Sequence, residues 1–175
     1  MRKMRRRDRE VTDRNEILHI LKTAKVLHLG LVDEGMPYVV PMNYGFCMEE
    51  DKLVFYLHGA MDGRKLDVIR KNPACCAQLE CEESMFEGKV ACQYGYTYYS
   101  LMGFGSITVV EDVDEKIRAM SLLMKHLTEK EFEFNDRLVS IVNVFRIECD
   151  TYTAKHRPLP AVLQEQSGHD ENTAK

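Results

Sequence analysis

Residues 52–72 read KLVFYLHGAMDGRKLDVIRKN. Along 52–58, Leu53, Phe55 and Leu57 alternate with Val54, Tyr56 and His58, the period of a half-buried strand that ends at His58. A small-residue loop follows from Gly59 to Gly63, and Arg64 and Lys65 then open a short amphipathic helix whose apolar side is Leu66, Val68 and Ile69. Two fixed cations therefore stand beside the unpaired N–H groups of a helix start, where dipole, amides and side-chain charge all favour an anion. Taken on spacing alone, the same pattern also fits a strand, a turn and a solvated basic helix.

Working outward, the sequence predicts an antiparallel, mainly β fold. Before the central strand, Asp13 or Thr12 caps a first helix with Glu16 close by, and Ile17, Leu18, Leu21 and Ala24 recur at helical spacing. Residues 25–32 and 36–46 read as a hairpin turned by Asp33, Glu34 and Gly35, so that 25–32, 36–46 and 52–58 make a three-strand meander. Pro37 and Pro41 cannot donate to a ladder and mark an exposed or bulged edge. Backbone near Pro41, Met42, Asn43 and Tyr44 is thus open to a flat heteroaromatic ring, or is an ordinary edge. Beyond the helix, 74–79 is a fourth strand and 80–94 a loop or ragged strand end. In 97–110, Gly103 and Gly105 fit a bend or bulge. A helix begins at residues 112–114 and packs through Ile117, Met120, Leu123, Met124 and Leu127; 132–138 is a connection or short helix. The last strand, 141–153, points Phe145, Ile147 and Cys149 one way and Arg146, Glu148 and Asp150 the other. About six strands with peripheral helices make a small antiparallel, Greek-key-like barrel.

Composition excludes several classes. The chain of 175 residues is sized for one domain, here 12–156, with a basic arm at 1–11 and a polar tail at 157–175. Its net charge is −4, but six of the first nine residues are basic and one is acidic, so the remainder carries −9. Positive charge confined to an arm argues against a nucleic-acid binder. No apolar run is long enough to span a bilayer and no secretory signal precedes the domain, which points to the cytoplasm. The six cysteines show no CxxC pair and no zinc spacing, so no metal is assigned. No Ser-His-Asp set, Cys-His spacing or Walker loop is visible.

Four segments, PYVVPMNYGF at 37–46, YLHGAMDGRKLDVIRKNP at 56–73, YYSLMGFG at 98–105 and EDVDEKIRAMSLLMKH at 111–126, resemble in order the nitroimidazole-resistance branch of the pyridoxamine phosphate oxidase superfamily. The resemblance runs from about residue 4 to 155. It implies an FMN-binding split β-barrel and a homodimer with flavin in clefts between subunits. The phosphate would be gripped by Arg64 and Lys65, beside His58, Gly59, Ala60 and Gly63, with the ring along Pro41, Met42, Asn43 and Tyr44. Tyr98 and Ser100, whose hydroxyls share a strand face, can reach a phosphate or ribityl oxygen or else simply pack; at the position of Tyr99 the family commonly has a polar or charged residue. The implied activity is reduction of a small oxidised or nitroaromatic substrate, with a nicotinamide donor and His58 as the catalytic candidate for polarity or proton supply. The alternatives are a non-catalytic FMN- or haem-binding protein, in which His58 or His156 would be the haem ligand, and a vitamin B6 oxidase.

Overall fold

The computed structural model describes residues 4–161 and 163. After a single 3-10 turn at Arg7–Arg9, the strands are β1 (Glu10–Val11), β2 (Leu27–Asp33), β3 (Met36–Met42), β4 (Gly45–Glu49), β5 (Lys52–Gly59), β6 (Ala74–Phe86), β7 (Gly95–Val110) and β8 (Asn143–Arg157). The helices are α1 (Arg14–Thr23), α2 (Arg64–Lys71), α3 (Val113–Thr128) and the one-turn α4 (Asp136–Val139). All strands join one antiparallel sheet in the order β3-β2-β6-β7-β8-β5-β4, with β1 on β8. The sheet curls without closing, since β3 and β4 stand at opposite ends of this order. The interior is filled by Leu27, Leu29, Leu53, Phe55, Leu57, Leu79, Leu101, Phe145 and Ile147, with Ile20 and Leu21 of α1 packed among them. A smaller cluster, Val54, Tyr56, Val110, Ala119 and Val144, seats α3 against the back of β5 and β8.

Several expectations are corrected. Residues 36–46 are two strands, and the three-strand meander does not form: β3 pairs with β2, while β4 pairs with β5. The chain turns inward at Tyr44, which is fully buried and whose hydroxyl lies 2.9 Å from the carbonyl oxygens of both Leu21 and Ala24, which share its one proton, tying the corner to α1. The expected ragged end at 80–94 carries strand pairing to Phe86, with a register shift between Cys81 and Ser84. The sheet accordingly has eight strands. Glu10 and Val11 of the expected arm belong to it, because Val11 buries its side chain beside Ala154. Of the tail expected from 157 onward, Arg157 ends β8, and 162 and 164–175 lie outside the described residues.

Other readings hold. Asp13 accepts from the amides of Asn15 and Glu16, and Asp112 from that of Glu115. The glycine-marked bulge falls between Phe104 and Gly105; β8 passes Asp150 without a partner there, and a Cβ on Gly105 would meet the Glu148 carbonyl oxygen at 1.9 Å. Among the described residues, no helix is long and apolar enough to cross a membrane.

An ion network fastens α3 to the sheet. Arg146 donates to Tyr56 Oη at 2.7 Å and pairs with Glu49 at 2.7 Å, Glu115 at 3.2 Å and Glu148 at 3.3 Å. Its hydrogen bond holds the Glu49 carboxyl down at about 2. Arg146→Met leaves three carboxylates facing one another and is expected to cost about 2–3 kcal/mol, read as a fall in Tm of roughly 5–10 °C. Because the folded pKa of Glu49 is depressed, its stabilisation is complete above the ordinary value of 4.5 and is lost as pH falls toward 2. Acid titration of the variant should therefore show a flatter loss across that window than wild type.

Candidate functional site

The opening between the two ends of the sheet is bridged by the first turn of α2. Lys65 reaches across it. On one side its ammonium donates to Met42 Sδ of β3 at 3.0 Å; on the other it stands 5.4 Å from the centroid of Phe145 of β8. A Cβ on Gly59 would lie 3.0 Å from the same nitrogen, so the glycine makes room for the ammonium. Lys65 is half-buried, has no carboxylate partner among the described residues, and burial pushes its pKa down. A thioether is a weak acceptor, so this is a cation under-compensated where it sits.

Arg64 flanks it. Its Nε donates to Asp33 Oδ2 at 2.9 Å and its guanidinium carbon lies 4.7 Å over the Tyr38 ring, which leaves the Nη groups for a further acceptor. Gly63, at φ 129°, starts α2 in a backbone conformation that side chains disfavour, and no side chain caps the helix. Together Tyr38, Ala60, Gly63, Arg64, Lys65 and Phe145 line a hollow of about 220 Å³, with Asp62, whose carboxylate accepts from the Gly63 amide, also on its wall. Asn143, buried at the start of β8, donates to the Ala60 carbonyl at 2.9 Å and fixes the loop from behind.

The structure gathers some of the expected site residues and scatters others. Gly59, Ala60, Gly63, Arg64, Lys65 and Met42 meet at the hollow. Pro41 is exposed on the β3 edge, and the Asn43 side chain donates to the Lys25 carbonyl at 3.1 Å. Tyr44 is corrected: its ring and hydroxyl are consumed inside the fold, and burial raises its pKa, so it has no surface for a cofactor. His58 stands opposite Val144, on the α3 side of β5, whereas Lys65 lies against Gly59 and Phe145 on the other side. Its Nδ1 is buried with no partner among the described residues; burial, then the charge of Lys65, push its pKa down. His58 therefore lies on the other side of β5 from the hollow, though within reach of the Lys65 charge.

Tyr98 and Ser100 pair with Arg157 and Lys155, whereas Val109 of the same strand pairs with Phe145 at the hollow. The nine residues from Ser100 to Val109 span ~30 Å of strand, so one chain does not bring these hydroxyls to its own Arg64 and Lys65. They belong to an outward face instead. Its successive rows are Val39, Gly30, Cys76 and Phe104, then Pro41, His28, Gln78 and Met102. This face is open, with Val39 59%, Met102 41% and Phe104 37% exposed. Tyr99 points inward, stacked on His156 at 3.8 Å between ring centroids.

Sequence reasoning missed Asp33, Tyr38, Phe145 and Asn143. Asp33 read as a turn residue, and Tyr38 and Phe145 as ordinary strand aromatics. Nothing local shows that β3 and β8 face each other across the opening. Among the described residues no group of three His, Cys, Asp or Glu converges as a metal site, and the six cysteines are free thiols.

Comparison with known proteins gives the following. The sequence profile of the pyridoxamine 5'-phosphate oxidase family matches residues 13–156. A candidate 5-nitroimidazole antibiotic resistance protein from Bacteroides thetaiotaomicron is 31% identical, with a TM-score of 0.71 over 84% of this chain and 86% of that one. A flavocytochrome from Azotobacter vinelandii is 19% identical, with a TM-score of 0.73 over 90% of this chain and 73% of that one. An FAD- and haem-binding protein from Mycobacterium smegmatis is 18% identical, with a TM-score of 0.71 over 91% and 80%. At such identity the latter two bear on the fold alone. No curated protein sequence matches significantly.

Proposed function

The chain belongs to the pyridoxamine 5'-phosphate oxidase family, and on that premise we propose that it is an FMN-binding reductase of small oxidised or nitroaromatic compounds. The observation that carries the reading is Lys65, a half-buried cation without a carboxylate partner among the described residues, set with Arg64 at a helix start with no side-chain cap beside a hollow. The residues fit a terminal phosphate: the Lys65 ammonium, the Nη groups of Arg64 and the Arg64 and Lys65 amides that open α2 lie beside the hollow, with Asp62 also on its lining. Such a grip favours FMN over FAD, whose adenylate would have to pass the small loop. When bound, FMN supplies the electron carrier between a reduced nicotinamide and the acceptor; the chain supplies binding and orientation. The likeness to the Bacteroides protein supports the nitroaromatic class. Absorbance of the purified protein tests the reading. A flavin spectrum bleached anaerobically by a nicotinamide donor and restored by a nitroimidazole or quinone is the expected result; a haem spectrum, or flavin that passes no electrons, favours the cofactor-binding alternative.

The same reading makes the protein a homodimer in the cytoplasm. Support comes from the open apolar face on β3, β2, β6 and β7, and from the distance between Tyr98 and Ser100 and their own chain's hollow. In a dimer these hydroxyls serve the flavin of the other subunit. Sedimentation at micromolar concentration should show a dimer, and a flavin-loaded monomer would exclude it. His58 enters as a group tuning the site from behind β5. His58→Ala, compared at matched FMN occupancy, is expected to slow electron transfer by several-fold; an unchanged rate assigns the imidazole to packing.

A further inference from the structure

The far end of the β6–β7 hairpin holds a larger cavity, about 580 Å³, lined by Phe86, Gly88, Cys92, Gln93, Arg157 and Leu163. Arg157 lies with its guanidinium carbon 5.0 Å from the centroid of the buried Phe86 ring. Gly95, paired with Phe86, makes that stack: a Cβ there would come within 2.7 Å of both Arg157 Nη2 and Phe86 Cζ. Arg157 has no ion-pair or hydrogen-bond partner among the described residues. The wall opposite is fixed as well. Lys89 donates its amide to Gln93 Oε1 at 2.9 Å, a Cβ on Gly88 would strike Gln93 Cβ at 2.2 Å, and Ala91–Gln93 forms a 3-10 turn.

A guanidinium set over an aromatic ring, with no ion pair or side-chain hydrogen bond among the described residues, keeps N–H groups that can hold a carboxylate through two parallel bonds. Lys89 adds a second cation on the rim, against the single carboxylate of Glu87. Phe86, Pro160 and Leu163 offer apolar surface to the rest of a ligand, and the volume lies within the ~300–1,000 Å³ of small-molecule sites. We propose that this cavity is a binding site for a planar aromatic carboxylate, anchored by Arg157 and lying along the wall formed by Phe86. Within one chain the cavity is remote from Arg64 and Lys65, because Arg157 pairs with Tyr98 at the far end of β7; in the proposed dimer that end of β7 also faces the other subunit's flavin, and the Arg64/Lys65 variant separates the two sites.

The probe is 2-naphthoate, titrated by its own fluorescence into the full-length protein as purified; the chain contains no Trp to interfere. Saturable binding is expected, weakened about tenfold or more by Arg157→Gln and for the neutral 2-naphthamide, the loss that follows when a charge-assisted pair is removed. Cys92, an exposed free thiol on the same wall, gives a second readout: naphthoate should slow its alkylation by iodoacetamide in wild type and not in Arg157→Gln. Binding should survive Arg64→Ala with Lys65→Ala. Absence of saturable binding, equal affinity in wild type and Arg157→Gln, or loss of binding in the Arg64/Lys65 variant with retention in Arg157→Gln would each overturn the proposal, the last by placing the ligand in the other hollow.

Discussion

Protein carrying Arg64→Ala and Lys65→Ala is expected to purify colourless, with its affinity for added FMN reduced by a factor on the order of 10² to 10⁴. Each cation lost removes a charge-assisted contact of about 1.5–3 kcal/mol, and the two act on the same phosphate. Folding should be almost untouched. Arg64 is 63% exposed and its pair with Asp33 is a surface one, worth little, while Lys65 is a desolvated charge whose removal relieves a cost. Flavin titration by fluorescence quenching, run beside a thermal melt, separates the two effects. Undiminished FMN affinity in a well-folded double variant would remove the phosphate assignment and, with it, the main support for the reductase reading.

Gly45→Ala should cost about 3 kcal/mol and lower Tm by roughly 6–12 °C without touching the hollow. A Cβ at Gly45 would lie 2.5 Å from Leu123 N and 2.7 Å from Leu122 C, which are backbone atoms of α3. No rotamer change relieves such a contact; the helix itself must lift from β4, opening the packing around Ala119 and Leu123. Gly35→Ala makes a useful comparison, because nothing lies within 4 Å of its Cβ position and its penalty comes from φ +87° alone. If Gly45→Ala melts no lower than Gly35→Ala, the close seating of α3 on β4 is wrong.

How far the sequence could be read followed from the range of the interactions involved. The strand 52–58, the caps at Asp13 and Asp112 and the bulge near Gly105 are written in neighbouring residues, and each was legible. So was the conjunction of Arg64 and Lys65 with a helix start. The family resemblance supplied the split barrel that periodicity could only call a small barrel. What failed was non-local. Residues 36–46 alternate well enough for one strand, but the Tyr44 hydroxyl is held at the carbonyls of Leu21 and Ala24 at the end of α1, a non-local contact that goes with the turn. The same corner that divides the strand removes Tyr44 from the site. His58 shares the face of Val54 and Tyr56, as alternation indicates, but that this face is the one covered by α3 is set by packing far along the chain. For Tyr98 and Ser100, which end of a 16-residue strand lies near the hollow of the same chain is fixed by pairing with β8, which no local spacing shows.

The position of β8 also bears on how the protein is made. In the sheet order, β3, β2, β6 and β7 form one block and β5 and β4 another, and β8 alone pairs with both. β8 is the last strand in the chain order, so during synthesis two half-sheets wait, their inward apolar edges unpaired, until nearly the whole domain has left the ribosome. Pairings such as Val11 with Ala154 and Leu53 with Cys149 span most of the chain, which places the fold among the slower, high-contact-order topologies. A nascent chain stalled before residue 143 would present β5 and β7 as open edges, and it is at that stage, rather than in the finished barrel, that chaperone dependence and aggregation should concentrate.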